Sequence, residues 1–191
     1  MPFYNHFLER IRTCQDTEEL FDCLFAMLHW KLGNVQKGTG SETSPIVDID
    51  GISYTWSDVG GDFWKRRTDT DFLNHCLRFR DGKISGCEFF EYLKDRRVFG
   101  SRLVLNAFMI HLLRPEEHPM IDQHVWRAMH VLKGLLESTD DEPTLWEDYK
   151  EYESFFNEAM ESMNGPSHTR FERNAVDRAF MAFGKWIKAK K

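Results

Sequence analysis

Residues 99–132 read FGSRLVLNAFMIHLLRPEEHPMIDQHVWRAMHVL, and the fold turns on how this stretch divides. Leu103, Ala107, Phe108, Ile110, His111 and Leu112 recur at helical spacing until Pro115, which cannot continue a helix. After the turn HPMI, the residues Val125, Trp126, Met129 and Leu132 resume that spacing. Asp122 stands where the second run begins. A carboxylate at that point meets the unpaired backbone N–H groups of a first helical turn and the positive end of its dipole. The stretch predicts two helices, over 101–113 and 122–136, packed against each other, with Asp122 within the first turn of the second.

Upstream, Ser85-x-x-Glu88 is a capping box before Phe89, Phe90 and Leu93, and the cationic run Lys94-Asp95-Arg96-Arg97 closes that helix beside Gly100. A further helix opens at Asp69 or Thr70, with Phe72, Leu73, Cys76, Leu77 and Phe79 on one side and a turn at Asp81-Gly82. Two more helices fill the first thirty or so residues. Phe3, Phe7, Leu8 and Ile11 mark one, and Leu20, Phe21, Leu24, Phe25 and Leu28 mark the other, which begins at Thr17. Between Gly33 and Gly61 the pattern changes. GNVQKGTGSETSP is turn-rich, and IVDID-G-ISYTW alternates about a glycine as a small hairpin does. Trp56 there either stacks on a base or packs on the helical core.

Downstream, Thr144-x-x-Glu147 and Thr169-x-x-Glu172 open two last helices. The first turns Tyr149, Tyr152, Phe156, Ala159, Met160 and Met163 inward and stops at Gly165-Pro166. The second carries an apolar stripe through Phe171, Ala175, Val176, Ala179, Phe180 and Phe183, continued by Trp186 and Ile187. The expected fold is mainly α: a single domain over 1–191 of about seven to eight helices, with a loop and small β element over 33–61 and a β-hairpin near 46–56.

A small-residue turn, a helix, a proline-containing loop and an Asp opening the next helix resemble the helix-hairpin-helix DNA glycosylases. The similarity extends to the 8-oxoguanine glycosylase branch, whose loop reads much like PEEHPMIDQHVWRA, and residues 99–132 form the helix-hairpin-helix-like core. The resemblance implies that Gly100 is the hairpin glycine and that Asp122 is the catalytic carboxylate. Arg102 stands where bifunctional members carry a lysine. Where the family's hairpin has two glycines and a Lys, here Val98 and Phe99 precede Gly100 and no Lys follows in the helix. A weaker echo lies in FERNAVDRAFMAFGKW near the C-terminus.

Composition bounds these readings. The chain has 191 residues, enough for a well-buried core, and 41% hydrophobic with 29% charged residues excludes disorder as its main state. No apolar run approaches a membrane span, so no membrane partner is expected. The four cysteines form no C-x-x-C pair and read as reduced thiols of a cytoplasmic protein. No P-loop, G-x-G-x-x-G, G-x-S-x-G or H-E-x-x-H occurs. His111, His118, His124 and His130 crowd one region, but Pro119 breaks helical geometry between His118 and Asp122, and His124 and His130 diverge on a helix. Neither metal nor cofactor is expected.

The net charge is −6, yet it is unevenly spread. Residues 137–161 hold ten acidic side chains against Lys150 alone, while 167–191 hold seven basic against two acidic and 64–102 hold ten basic against six acidic. Any nucleic acid is expected on the side of Lys94, Arg96, Arg97, Gly100 and Arg102, away from the acidic segment.

Cleavage of an N-glycosidic bond passes through an oxocarbenium-like sugar that one placed carboxylate can stabilise. The extruded base needs an aromatic face, for which Trp126 and Phe99 are the candidates. Arg102 stays protonated and cannot form a Schiff base, so the resemblance implies a monofunctional glycosylase without strand cleavage. The competing expectation is a non-catalytic interaction or nucleic-acid-binding protein that keeps the fold without the chemistry.

Overall fold

Asp16 and Asp69 start two N-terminal helices in the same way. The Asp16 carboxylate accepts from the amides of Glu18 (3.3 Å) and Glu19 (3.1 Å), and that of Asp69 from the amide of Phe72 (3.1 Å). These caps satisfy donors that a helix leaves unpaired. The computed structural model describes residues 2–38, 46–56, 61–100, 102–135, 142–164 and 170–190, and the chain divides into two units, Met1–Ser85 and Gly86–Lys191. Among the described residues there are eight α-helices and one small antiparallel sheet, a mainly helical fold.

The first unit holds α1 (Pro2–Thr13), α2 (Thr17–Lys31), β1 (Gln36–Lys37), β2 (Ile46–Ile49), β3 (Ile52–Thr55), a 3-10 helix (Gly61–Thr68) and α3 (Thr70–Arg80). The hairpin β2–β3 turns on Asp50 and Gly51, both at positive φ (52° and 76°), as a two-residue turn with the twist of its strands requires. Ile49 faces Ile52 and Val47 faces Tyr54. β1 adds to the other edge of β3, with Gln36 opposite Thr55, inside a stretch whose residues signal only turns. Trp56 is buried, its ring edge-on to Phe3 (5.8 Å) and Phe7 (5.9 Å) of α1, so of its two uses packing is the one observed. Arg80 closes α3 onto α1, donating from Nη1 to the carbonyls of Ile11 (3.2 Å) and Cys14 (2.6 Å).

The second unit holds α4 (Gly86–Asp95), α5 (Leu103–Leu113), α6 (Gln123–Leu132), α7 (Trp146–Asn164) and α8 (Arg170–Lys190). α5 is apolar on nearly every side, so no face is left for water, and all of it but Val104 and Leu105 is buried. α7 turns Tyr149, Tyr152, Phe156 and Met160 into the core. Its cap differs from the expected box. Asp148, not Glu147, reaches back, and its Oδ2 accepts from the amides of Thr144 (2.7 Å) and Leu145 (2.8 Å). The helix begins at Trp146, later than Thr144 suggests, which puts Asp148 at the reaching position.

Each of the two central helices makes its most extensive close contact outside the pair. α5 lies against α4, and α6 lies against α8. The reason is Gly184. A Cβ built on it would stand 1.9 Å from the backbone oxygen of His124, so only glycine lets α8 approach the first turn of α6 this closely. The apolar stripe of α8 is accordingly covered only in part. Val176 is buried, Phe180 and Phe183 are half-buried, and Trp186 is 57% exposed. The expected cap Thr169, the stop at Gly165-Pro166, the side chains of Met163 and Phe171, and residues 39–45, 57–60 and 136–141 lie outside the described residues.

Candidate functional site

Among the described residues, four helices end in the same hydrogen-bonded turn, in which the amide two residues past the cap returns to a carbonyl five positions back. The bonds are Asn34 to His29 (2.9 Å), Lys83 to Arg78 (2.8 Å), Leu135 to His130 (2.8 Å) and Val98 to Leu93 (2.9 Å). The motif needs a left-handed residue, usually glycine. Gly33, Gly82 and Gly134 supply it at three of the ends (φ 75°, 71° and 77°), but at the end of α4 the residue is Arg97, at φ 50°. A side chain in that conformation costs on the order of 1 kcal/mol. Such strain persists only where the surrounding structure holds it. We expect Arg97→Gly to raise stability by about 0.5–1 kcal/mol, read as a higher urea midpoint, while weakening oligonucleotide binding. A lower midpoint would contradict this account of the turn.

Gly100, also left-handed at φ 64°, completes the turn between α4 and α5. Arg96, Arg97, Gly100 and Arg102 are exposed, and among the described residues no side chain caps α5, whose N-cap is Arg102. Lys94 is exposed but spends charge on Glu91 (3.4 Å). The turn thus offers cations and an uncapped helix start together, a combination suited to phosphate.

Asp122 is the N-cap of α6, on extended backbone (φ −152°, ψ 177°). Its Oδ1 accepts from the amides of His124 (2.7 Å) and Val125 (3.0 Å). Oδ2 accepts no hydrogen bond among the described residues, and the side chain is half-buried. One oxygen serves the helix, and the other is unengaged among the described residues.

Two residues on, His124 has cations near it. Arg127 is buried and approaches His124 Nδ1 with Nη1 at 3.4 Å. Burial first of all holds the His124 imidazole below its ordinary value; Asp122 pulls the other way, and Lys185, Arg127 and Lys188 add to the lowering. Tyr152 of α7, also buried, donates to Asp177 Oδ1 of α8 (3.3 Å). Its phenol is pushed up by burial and then by Asp177, with Asp122 acting in the same direction.

The loop that delivers Asp122 is fixed from three sides. His111 Nδ1 donates to the His118 carbonyl (2.7 Å), and the Tyr149 hydroxyl donates to the Pro119 carbonyl (3.2 Å). His118 Nδ1 bonds Glu153 Oε1 (2.7 Å), and Lys150 holds the other Glu153 oxygen. Both His118 and Glu153 are buried. Gly86 leaves room for this histidine, because a Cβ there would lie 3.0 Å from His118 Cε1.

Burial alone would raise the Glu153 carboxyl, but the hydrogen bonds from His118 and Lys150 outweigh it and hold the group below 4.5. A lowered folded value means that the stabilisation is complete above 4.5 and disappears as pH falls below 4.5 through the folded value. Glu153→Gln is expected to cost about 1–3 kcal/mol at neutral pH. Urea unfolding across pH should show the gap to wild type narrowing below 4.5. A gap that stays constant would contradict the assignment.

The residues expected to act together do so only in part. Trp126 is buried, its ring against His130 (4.5 Å between centroids), so the stacking role expected of it gives way to packing. Phe99 stays half-buried in the turn before α5. Each of the four histidines is engaged elsewhere. His111 and His118 fasten the loop, His124 meets Arg127, and His130 meets Trp126. No motif in the sequence singles out Arg127, Lys185, Lys188 or Glu153. Compared with known proteins, the chain matches no family model and shows no significant similarity to a curated protein or a solved structure. Among the described residues no helix is long and apolar enough to cross a membrane.

Proposed function

We propose that this protein recognises a nucleobase in DNA or another nucleic acid and releases it by hydrolysing the N-glycosidic bond, with Asp122 as the working carboxylate. The observation that carries this reading is the divided use of Asp122, whose Oδ1 caps α6 while Oδ2 accepts no hydrogen bond among the described residues. As the bond from sugar C1′ to the base breaks, the base leaves with the electron pair and positive charge builds on the sugar. Oδ2 stabilises that charge, water adds to C1′, and the water's proton passes to the departing base. No cofactor enters the step.

The arginines at the α4–α5 turn, with Gly100 and the uncapped start of α5, support phosphate contact, and Phe99 is the remaining candidate to face the base. Arg102 is not nucleophilic, so borohydride should trap no covalent intermediate. The reading places the protein in the cytoplasm, where its cysteines stay reduced. A second reading, a nucleic-acid-binding protein without base release, is favoured by one observation, the burial of Trp126. Single-turnover base release from oligonucleotides with damaged or mismatched bases, wild type against Asp122→Asn, tests the proposal and separates the two readings.

A further inference from the structure

Trp186 of α8 is 57% exposed. Of the tryptophans whose side chains are described, Trp56 and Trp126 are buried and Trp30 and Trp146 half-buried, so this ring is the one open to solvent. Its position is set by the helix. Gly184 faces α6 at the His124 backbone oxygen, and Trp186, two residues on and about 200° farther round the helix, faces away from that contact. The indole lies almost parallel to the ring of Phe183 (13° between planes, 6.0 Å between centroids). Its helical neighbours on the outer side, Ala182 and Ala189, are small and exposed, and they leave the ring uncovered. A single exposed apolar residue is ordinary. This one is stacked, held at a fixed angle and set among cations. Beyond Asp177 the sequence carries Arg178, Lys185, Lys188, Lys190 and Lys191 and no carboxylate, although the chain as a whole carries −6. Lys185, Lys188 and Lys190 are exposed, and none of them forms an ion pair among the described residues.

A flat aromatic face among such cations complements a single-stranded nucleic acid, in which every base offers a π-face and every phosphate a negative charge. A lipid surface needs a wider apolar face, but Phe183 and Ile187 beside the ring are half-buried. A second copy of this chain would have to cover the lysines as well as the ring, at a cost in desolvation. Resting on the nucleic-acid part of the reading above and not on the chemistry of Asp122, we infer that the end of α8 is a contact for single-stranded nucleic acid. One base stacks on Trp186, and Lys185, Lys188 and Lys190 meet the phosphates on either side of it. The contact is separate from the arginine turn between α4 and α5. It holds unpaired nucleotides, the state a strand must reach before a base is presented for release.

The test is binding of a labelled oligothymidine single strand, read by anisotropy and by quenching of tryptophan emission, beside an abasic strand with the same sugar–phosphate backbone. Trp186→Ala should bind oligothymidine roughly tenfold more weakly, lose most of the quenching and keep its affinity for the abasic strand. Trp186→Phe, whose ring can still stack, should retain most of the affinity. Lys185→Gln/Lys188→Gln should lower the slope of log affinity against log salt by about 1.4 on either strand. Urea midpoints should equal that of wild type throughout, because these side chains are exposed. Wild-type affinity for oligothymidine in Trp186→Ala overturns this inference and leaves the nucleic-acid reading standing. A wild type without salt-dependent affinity for any single strand or duplex overturns both. A blue shift of tryptophan emission that needs Trp186 and follows phosphatidylserine vesicles or rising protein concentration, with no response to oligothymidine, assigns the ring to a lipid surface or to a second copy and overturns the inference.

Discussion

Replacing Gly184 with alanine will destabilise the second unit by about 3 kcal/mol or more, the upper end of what overpacking costs. The added methyl would lie 1.9 Å from the His124 backbone oxygen and 2.6 Å from its backbone carbon. No rotamer change relieves a clash with backbone, so α8 must move away from α6. That movement opens the contact between α8 and α6. It also displaces the first turn of α6, where the Asp122 cap is made. In an isolated helix the same exchange would stabilise by about 1 kcal/mol, so the sign alone is informative. Urea unfolding monitored by tryptophan fluorescence reads the effect. A midpoint equal to or above that of wild type would mean that the two helices do not cross at Gly184.

Much of this fold is legible in the residues. Apolar spacing on either side of Pro115 places α5 and α6, and the Asp-Gly pair places the hairpin, because both signals are local. The partner of α6 is not local. Its trace is one glycine inside the apolar pattern of α8, a costly choice for a helix that marks close approach by another backbone. The bond between His118 and Glu153 joins residues 35 apart, which no capping or periodicity rule reaches. Arg97 is legible as a cation at a helix end, but its left-handed backbone is hidden because the usual glycine is missing. The ring chemistry of Trp126 suggests stacking, while its position on the apolar face of α6 already points to the core. For the site, the place and capping role of Asp122 follow from the sequence. Two of the cations near His124, Lys185 and Lys188, come from α8, a helix distant in sequence that Gly184 brings near.

Asp122→Asn is expected to abolish base release while leaving the fold and substrate binding nearly intact. Asparagine caps helices about as well as aspartate, and its side-chain oxygen can accept the His124 and Val125 amides as Oδ1 does. It lacks the charge needed opposite a developing oxocarbenium ion. By analogy with the loss of one oxyanion-hole donor, that deficit costs about 3 kcal/mol, at least roughly a hundredfold in rate. The outcome thus separates a carboxylate that serves the helix from one that also serves a substrate, because a purely capping Asp122 would tolerate asparagine. The most direct measurement is single-turnover release of the base from oligonucleotides carrying a panel of damaged or mismatched bases, at enzyme excess. We expect release by the wild type from at least one substrate, and a rate at least roughly a hundredfold lower for Asp122→Asn with an unchanged urea midpoint. Equal rates for the two proteins, or no release by the wild type from any substrate of the panel, would contradict it.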